Sequence, residues 1–433
     1  MTAEGRTTIP KLGGIVRENK DQKLFVFYVI MISLQFVISL SGIAAPIYIR
    51  LGGLLILFIS LINNSRWLPF VITLFWGTSM MSPLPVLPTE TLYILLFIGA
   101  VGAVNIRSLK LNMQPRILIL VVYFLVMALL TIDLTIDYTS PLFLIIPIAL
   151  IISTTVNDEG DVLRLMLSLM LMSLFLASLF LLKKDDYAQA YKSFDIDRSG
   201  WTNSNMFGGS IAVGLVCAVG YYLNTFRFFK NRTVNIIAIA TVFVSIPALI
   251  LNASRGALLA AGATSILLLL FSKVKIPYKI VVTLVTVGFA VYLYNSGIFE
   301  LLEARLGEQD FETGGNRLLI WEAKFNAFGQ EGPLSWIFGV GQPRLRYLGV
   351  FYSTHNDFIT SLIGYGAIGF VLFMYFLLLP FKLAKKCKLE ILILTALLFV
   401  EGMVLEPIFR GLLPFYMYYI ILYKYAILSR SNS

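Results

Sequence analysis

The apolar positions of this chain fall in blocks of roughly 17–22 residues, divided by short polar connections. A helix rises about 1.5 Å per residue, so one such block crosses the ~30 Å hydrocarbon core of a bilayer. Blocks begin near Leu24, Ala45, Leu68, Thr91, Ile117, Pro141, Leu165, Met206, Val234, Ala257, Ile280, Phe358, Leu389 and Gly411. The third and fourth are short, which makes about twelve to fourteen spans the expectation. The pattern predicts an all-α integral membrane protein. No internal repeat of fixed period and no low-complexity tract interrupts it.

The polar connections set the sides. With alternating spans, Arg66, Arg107, Lys110, Arg116, Arg227, Lys230, Arg232, Lys273, Lys275, Lys279, Lys382, Lys385, Lys386 and Lys388 all fall on one side, while the opposing connection 133–139 has no basic residue. Basic residues in short loops mark the cytoplasmic face, so both termini are expected in the cytoplasm. The organisation read from this is a cytoplasmic tail over 1–23 and a transmembrane bundle over 24–295 with an external loop at 183–205. A long external segment follows over 296–357, then C-terminal spans over 358–427 and a tail over 428–433. No cleavable signal peptide is expected, because the polar start carries Arg6, Lys11, Arg17, Lys20 and Lys23 and no small-residue cleavage site follows.

Composition changes little in this picture but excludes several function classes. Apolar residues make up 58% of the 433 and charged residues 13%, whereas soluble domains average about 45–50% and about 25%. The net charge of +10, from 34 basic and 24 acidic residues, then reads as membrane orientation and not as nucleic-acid binding. Cys217 lies in an apolar block and Cys387 in a Lys-rich loop, which gives no disulfide framework. Two distant cysteines and one histidine cannot build a zinc site. Phosphate-loop and dinucleotide-binding glycine patterns are also absent. Neither a metal nor a cofactor is expected.

Three external segments hold arginine where the orientation rule disfavours it. Arg198 stands in Asp197-Arg198-Ser199-Gly200-Trp201-Thr202-Asn203-Ser204-Asn205, Arg255 in the very short connection Asn252-Ala253-Ser254-Arg255-Gly256, and Arg317 in the long segment. Within that segment, residues 317–328 have apolar positions at helical spacing, with Trp321 and Phe325 four apart. Gly314-Gly315 and Gly332-Pro333 act as breakers on either side. An amphipathic lid helix against the membrane surface is predicted; a disordered loop is the alternative. A lone arginine at a membrane helix end often only snorkels to headgroups. Three on one face can instead grip a diphosphate, because guanidinium forks are planar, permanently charged and bidentate.

The chain's single histidine, His355, lies in Ser353-Thr354-His355-Asn356-Asp357-Phe358, on the same face as those arginines. Imidazole is the one unperturbed side chain suited to proton transfer near neutral pH. His355 is therefore the candidate base; a structural histidine bonded to a helix end is the alternative. Asn356 and Asp357 are expected to cap the following helix. Gly364, Gly366 and Gly369 strip side chains from part of it, which permits close packing or an acyl-chain groove. Paired carboxylates such as Asp185/Asp186 and Asp195/Asp197 read as solvated loop residues. Glu401, Glu406 and Arg410 near the last spans are most economically a mutual ion pair.

In order and spacing these residues resemble a known family. His355-Asn356, nine residues, then Gly366-Ala367-Ile368-Gly369 is similar to the histidine–amide and glycine-pair signature of O-antigen ligases and related bacterial oligosaccharyltransferases. Ser254-Arg255-Gly256 resembles the arginine-bearing short loop of that group, and the Arg198 to Asn205 run resembles its Arg-x-Gly…Asn-x-Asn segment, with Ser204 where proline is common. Arg317-Leu-Leu-Ile-Trp321 followed by Phe338-Gly339-Val340-Gly341 resembles the lid preceding the histidine. The resemblance implies a fold of the multi-span GT-C type in the bacterial inner membrane. It also implies metal-independent, inverting glycosyl transfer at the periplasmic face from a glycan on undecaprenyl diphosphate. In that reading His355 and Arg255 are catalytic, and Arg198, Arg317, Asn203, Asn205 and Asn356 bind substrate. The acceptor is either a lipid-linked repeat unit, as in a polymerase, or lipid A–core, as in a ligase; the divergence of polymerases tips the reading towards polymerase. A chain-length co-polymerase is a candidate partner alongside membrane lipids. A lipid-linked glycan flippase is the alternative from another class, but it would concentrate polar residues at the midplane.

Overall fold

The computed structural model describes residues 19–40, 55–57, 59–62, 64–80, 122, 140–182, 204–226, 232–252, 254–297, 317–350, 354–385, 387–404, 407–409 and 412–431. Among them every regular element is helical: α1 (Asn19–Leu40), α2 (Leu68–Met80), α3 (Ser140–Thr155), α4 (Glu159–Leu182), α5 (Ser204–Tyr222), α6 (Arg232–Leu251) and α7 (Arg255–Phe271). These are followed by α8 (Ile276–Asn295), α9 (Arg317–Gly329), α10 (Pro333–Phe338), α11 (Gln342–Tyr347), α12 (Asp357–Leu383), α13 (Lys388–Val404) and α14 (Leu413–Ser431). Apart from α9, α10 and α11, the described helices begin within a few residues of the apolar blocks, because those blocks have no other way to satisfy their backbone groups in lipid. The blocks near Ala45, Thr91 and Ile117 lie wholly or largely outside the described residues. Four of the described helices, α4, α6, α8 and α12, are long and apolar enough to span a bilayer. The protein is an all-α integral membrane protein.

Helix α4 forms the centre, enclosed by α2, α5, α6 and α14, and its residues 160–173 are all buried. Apolar packing alone gives little register between helices in lipid, so small polar groups fix it. Ser173 Oγ on α4 donates to the Ile211 carbonyl of α5 at 2.9 Å and lies 3.0 Å from Ser245 Oγ of α6. The tyrosines of α14 tie the bundle from the other side: Tyr418 donates to the Leu394 carbonyl and Tyr419 to that of Phe376. Their rings fill the core while the hydroxyls satisfy helix carbonyls. In contrast α8 touches the bundle mainly through Leu293 against Ile250 and Phe289 against Phe243. Its remaining apolar side chains point outwards, as expected where lipid is the neighbour.

Short connections place one end of several helices on a common face. The 252–254 turn joins α6 to α7, so the start of α7 lies on that face and its end on the other. The 384–387 turn joins α12 to α13 on the opposite face, which leaves the start of α12 and the end of α13 beside the 252–254 turn. The segment between α9 and α12 packs on α12 through α10 and α11. Helix α12 is broken at Gly366, where φ is 68° and ψ −173°.

The break at Gly366 is an interlock with the backbone between α10 and α11. The Val340 and Gly341 amides donate to the carbonyls of Ile363 and Gly364, each at 2.9 Å, and so replace partners that an unbroken helix would supply. A Cβ at Gly366 would overlap the Ile337 carbonyl, and one at Gly339 (φ 85°) would overlap that of Gly364. Of the two readings of the glycine-rich stretch, close packing is the one realised at Gly366. Gly366→Ala is expected to lower stability by about 2 kcal/mol or more, from the left-handed backbone and the overlap together. Thermal melting of the purified protein measures this, and an unchanged midpoint would contradict the interlock.

Candidate active site

Arg255 opens α7 directly after the turn from α6, with Ser254 as an extended N-cap residue. Ser254 and Asn252 are buried and Arg255 is half-buried. Two neighbours fix this turn. A Cβ at Gly208 of α5 would fall 2.7 Å from Ser254 Cβ and 2.8 Å from Asn252 Nδ2, so the first turn of α5 abuts it. A Cβ at Gly256 would overlap Val404, so the last turn of α13 abuts it from another side. Asn205 is the second residue of α5 and its backbone therefore lies within a turn of this contact. Arg198 and Asn203 lie outside the described residues.

The histidine loop meets the same turn of α13. Asp357, at the start of α12, lies against Gly402, where an added Cβ would be 3.4 Å from Asp357 Oδ2. Phe358 stacks on Phe399 with ring centroids 5.6 Å apart. One helix end, residues 399–404, is thus flanked by the Arg255 turn and by the His355 loop. Asn356 performs the expected cap: its Oδ1 accepts from the Phe358 and Ile359 amides at 2.9 and 3.1 Å. Asp357 also reaches beyond its own helix. Its carboxylate accepts from the Ile408 and Phe409 amides, each at 3.1 Å, and anchors α12 to the chain leading into α14.

His355 adopts φ 50°, a left-handed conformation that non-glycine residues visit rarely. Its neighbours hold it there. Thr354 is buried; its Oγ1 contacts Thr360 Oγ1 and accepts from the Asn356 amide at 3.3 Å. Helix α9 reaches the same point, with Trp321 Nε1 donating to the Thr354 carbonyl at 2.7 Å. Arg317 stands four residues before Trp321, so it shares the helix face that meets the His355 loop. The helix expected over 317–328 is present as α9, in place of a disordered loop there.

Arg255 and Arg317 are each the first residue of a helix whose first turn has no acidic residue. The helix dipole makes that end positive and disfavours a cation there by some tenths of a kcal/mol. Two guanidiniums placed against this preference at two helix starts make a positive end of the kind that favours an anion. Among the described residues no group of three or more His, Cys, Asp or Glu side chains could hold a metal ion. Glu401 is buried in α13, and its Oε1 has no hydrogen-bond partner among the described residues. Glu406 and Arg410, the other members of its expected charge cluster, lie outside them.

One residue of this assembly leaves little signal in the pattern of the chain. Lys324 is fully buried, and its Nζ donates to the carbonyls of Leu345, Leu348 and Val350 at 2.6, 3.3 and 3.3 Å. A lysine on an amphipathic helix reads as solvated; only its place three residues after Trp321, on the inward face, signals otherwise. Trp321, legible from its spacing as an apolar position, is also a hydrogen-bond donor through its indole. No curated protein shows significant similarity to the chain. Residues 240–374, which include Arg255, Arg317 and His355, match the family described as O-antigen ligase, a match that supports the O-antigen ligase and polymerase superfamily as the relatives of this membrane protein.

Proposed function

We propose that the protein is an inverting glycosyltransferase of the bacterial inner membrane, active at the periplasmic face with both termini in the cytoplasm. Its donor is a glycan on undecaprenyl diphosphate. The observation that carries this reading is the convergence of the Arg255 turn and the His355 loop on one end of α13, with Arg317 on the lid face that meets the same loop. The imidazole of His355 takes the proton from an acceptor sugar hydroxyl. The resulting oxygen attacks the anomeric carbon opposite the diphosphate, and the bond from that carbon to the diphosphate oxygen breaks. Arg255 and Arg317, joined by Arg198, stabilise the charge that develops on the departing undecaprenyl diphosphate. Guanidinium groups supply what a metal ion supplies elsewhere, so the mechanism is metal-independent. Asn203, Asn205 and Asn356 orient the sugars or their diphosphate, Asn356 while also capping α12.

The acceptor that fits this reading best is another lipid-linked repeat unit, which makes the protein a surface-polysaccharide polymerase working with a chain-length co-polymerase. Transfer to lipid A–core is the second reading, favoured by the O-antigen ligase description of the matched family. Deleting the gene and separating lipopolysaccharide on a gel tests both. A polymerase leaves core bearing one repeat, whereas a ligase leaves bare core with long chains on the carrier lipid. An unaltered ladder would refute both and leave the flippase reading to be tested by carrier-lipid translocation.

A further inference from the structure

We propose that α9 is a latch for the imidazole, with Trp321 and Lys324 as positioning residues for His355; this rests on the reading of His355 as the base. The carbonyl that Trp321 holds belongs to the Thr354–His355 peptide group, whose orientation is what φ of His355 describes. The following peptide group is held as well, because the Asn356 amide donates to Thr354 Oγ1. Both planes around His355 are thus pinned, one of them from the lid, and the pinned conformation is one the residue avoids on its own.

Lys324 secures the approach to the loop. Three ammonium protons meet three carbonyls, those of Leu345, Leu348 and Val350, in the chain that runs towards His355. At 0% exposure, the ammonium group has those carbonyl dipoles in place of its hydration. Trp321 and Lys324 are three apart and Arg317 is four before Trp321, so one face of α9 carries all three. Docking that face brings a guanidinium to the site and sets the base in the same movement. An undocked lid would leave His355 free to relax out of its left-handed conformation, which ties proton transfer to lid closure.

The single histidine allows a direct test. Protein carrying isotope-labelled histidine gives one imidazole signal, followed beside steady-state transfer of lipid-linked glycan extracted from a strain that lacks the gene. Trp321→Phe keeps the ring and removes the donor. The expected result is an unchanged melting midpoint, a shifted or exchange-broadened imidazole signal, and kcat lowered about tenfold with KM within about twofold. An unmoved signal with lowered kcat would assign Trp321 another role and overturn the proposal. A moved signal with unchanged kcat would overturn it too, as would no change in either. Full activity of His355→Ala would instead remove the base reading, an outcome separate from the imidazole signal of Trp321→Phe.

Discussion

His355→Ala is expected to leave the protein inserted and folded while lowering glycan transfer by about three orders of magnitude, within the range that a positioned general base contributes. Hydrogen bonds of Thr354, Asn356 and Trp321 shape the loop and remain when the imidazole is removed. The chain has no second histidine that could take over. Nor does Asp357, two residues on, offer a substitute: both carboxylate oxygens are engaged by the Ile408 and Phe409 amides. The measurement is the rate of chain transfer in membranes of the deletion strain carrying the variant, with protein level and melting as controls. A variant that keeps more than about a tenth of the wild-type rate would take His355 out of the proton path.

How far the fold could be read from the chain depended on the range of the interaction. Helices such as α7 and α12 were legible because each is a continuous apolar run, and the cap at Asn356 because capping is local. The lid helix followed from Trp321 and Phe325 at a spacing of four. The interlock was not legible in the same way. Gly364 and Gly366 signalled only that something approaches closely, while the partner, the Gly339–Gly341 backbone, lies some 25 residues away and donates through amides that every residue carries. Lys324 was missed for a related reason: its partners are carbonyl oxygens, which leave no mark in the sequence. Arg255 and His355 stood out as charge or imidazole where neither is expected. That signal identifies residues but not their spatial relation, which comes from the contacts of Gly256 with Val404 and of Gly402 with Asp357.

Arg255→Lys is expected to lower transfer about 100-fold, although charge and approximate length are kept. The site needs two parallel N–H donors on a diphosphate whose charge grows as the sugar departs, and an ammonium supplies a single point of contact. Removing one such donor pair from a charge-developing site costs about 2–4 kcal/mol. The fixed surroundings sharpen the comparison. Gly208 and Gly256 hold the turn against α5 and α13 with no space for it to shift towards the ligand, so lysine cannot recover contact by moving the backbone. Because the interaction strengthens as the leaving group gains charge, the loss should appear mainly in kcat, with a smaller rise in KM for the donor. Snorkelling to headgroups predicts the opposite, since lysine snorkels as readily as arginine. Steady-state rates of reconstituted Arg255→Lys with extracted lipid-linked glycan decide between them: wild-type kcat would reduce Arg255 to a headgroup contact, and a kcat loss without loss of melting temperature would place its fork on the reacting diphosphate.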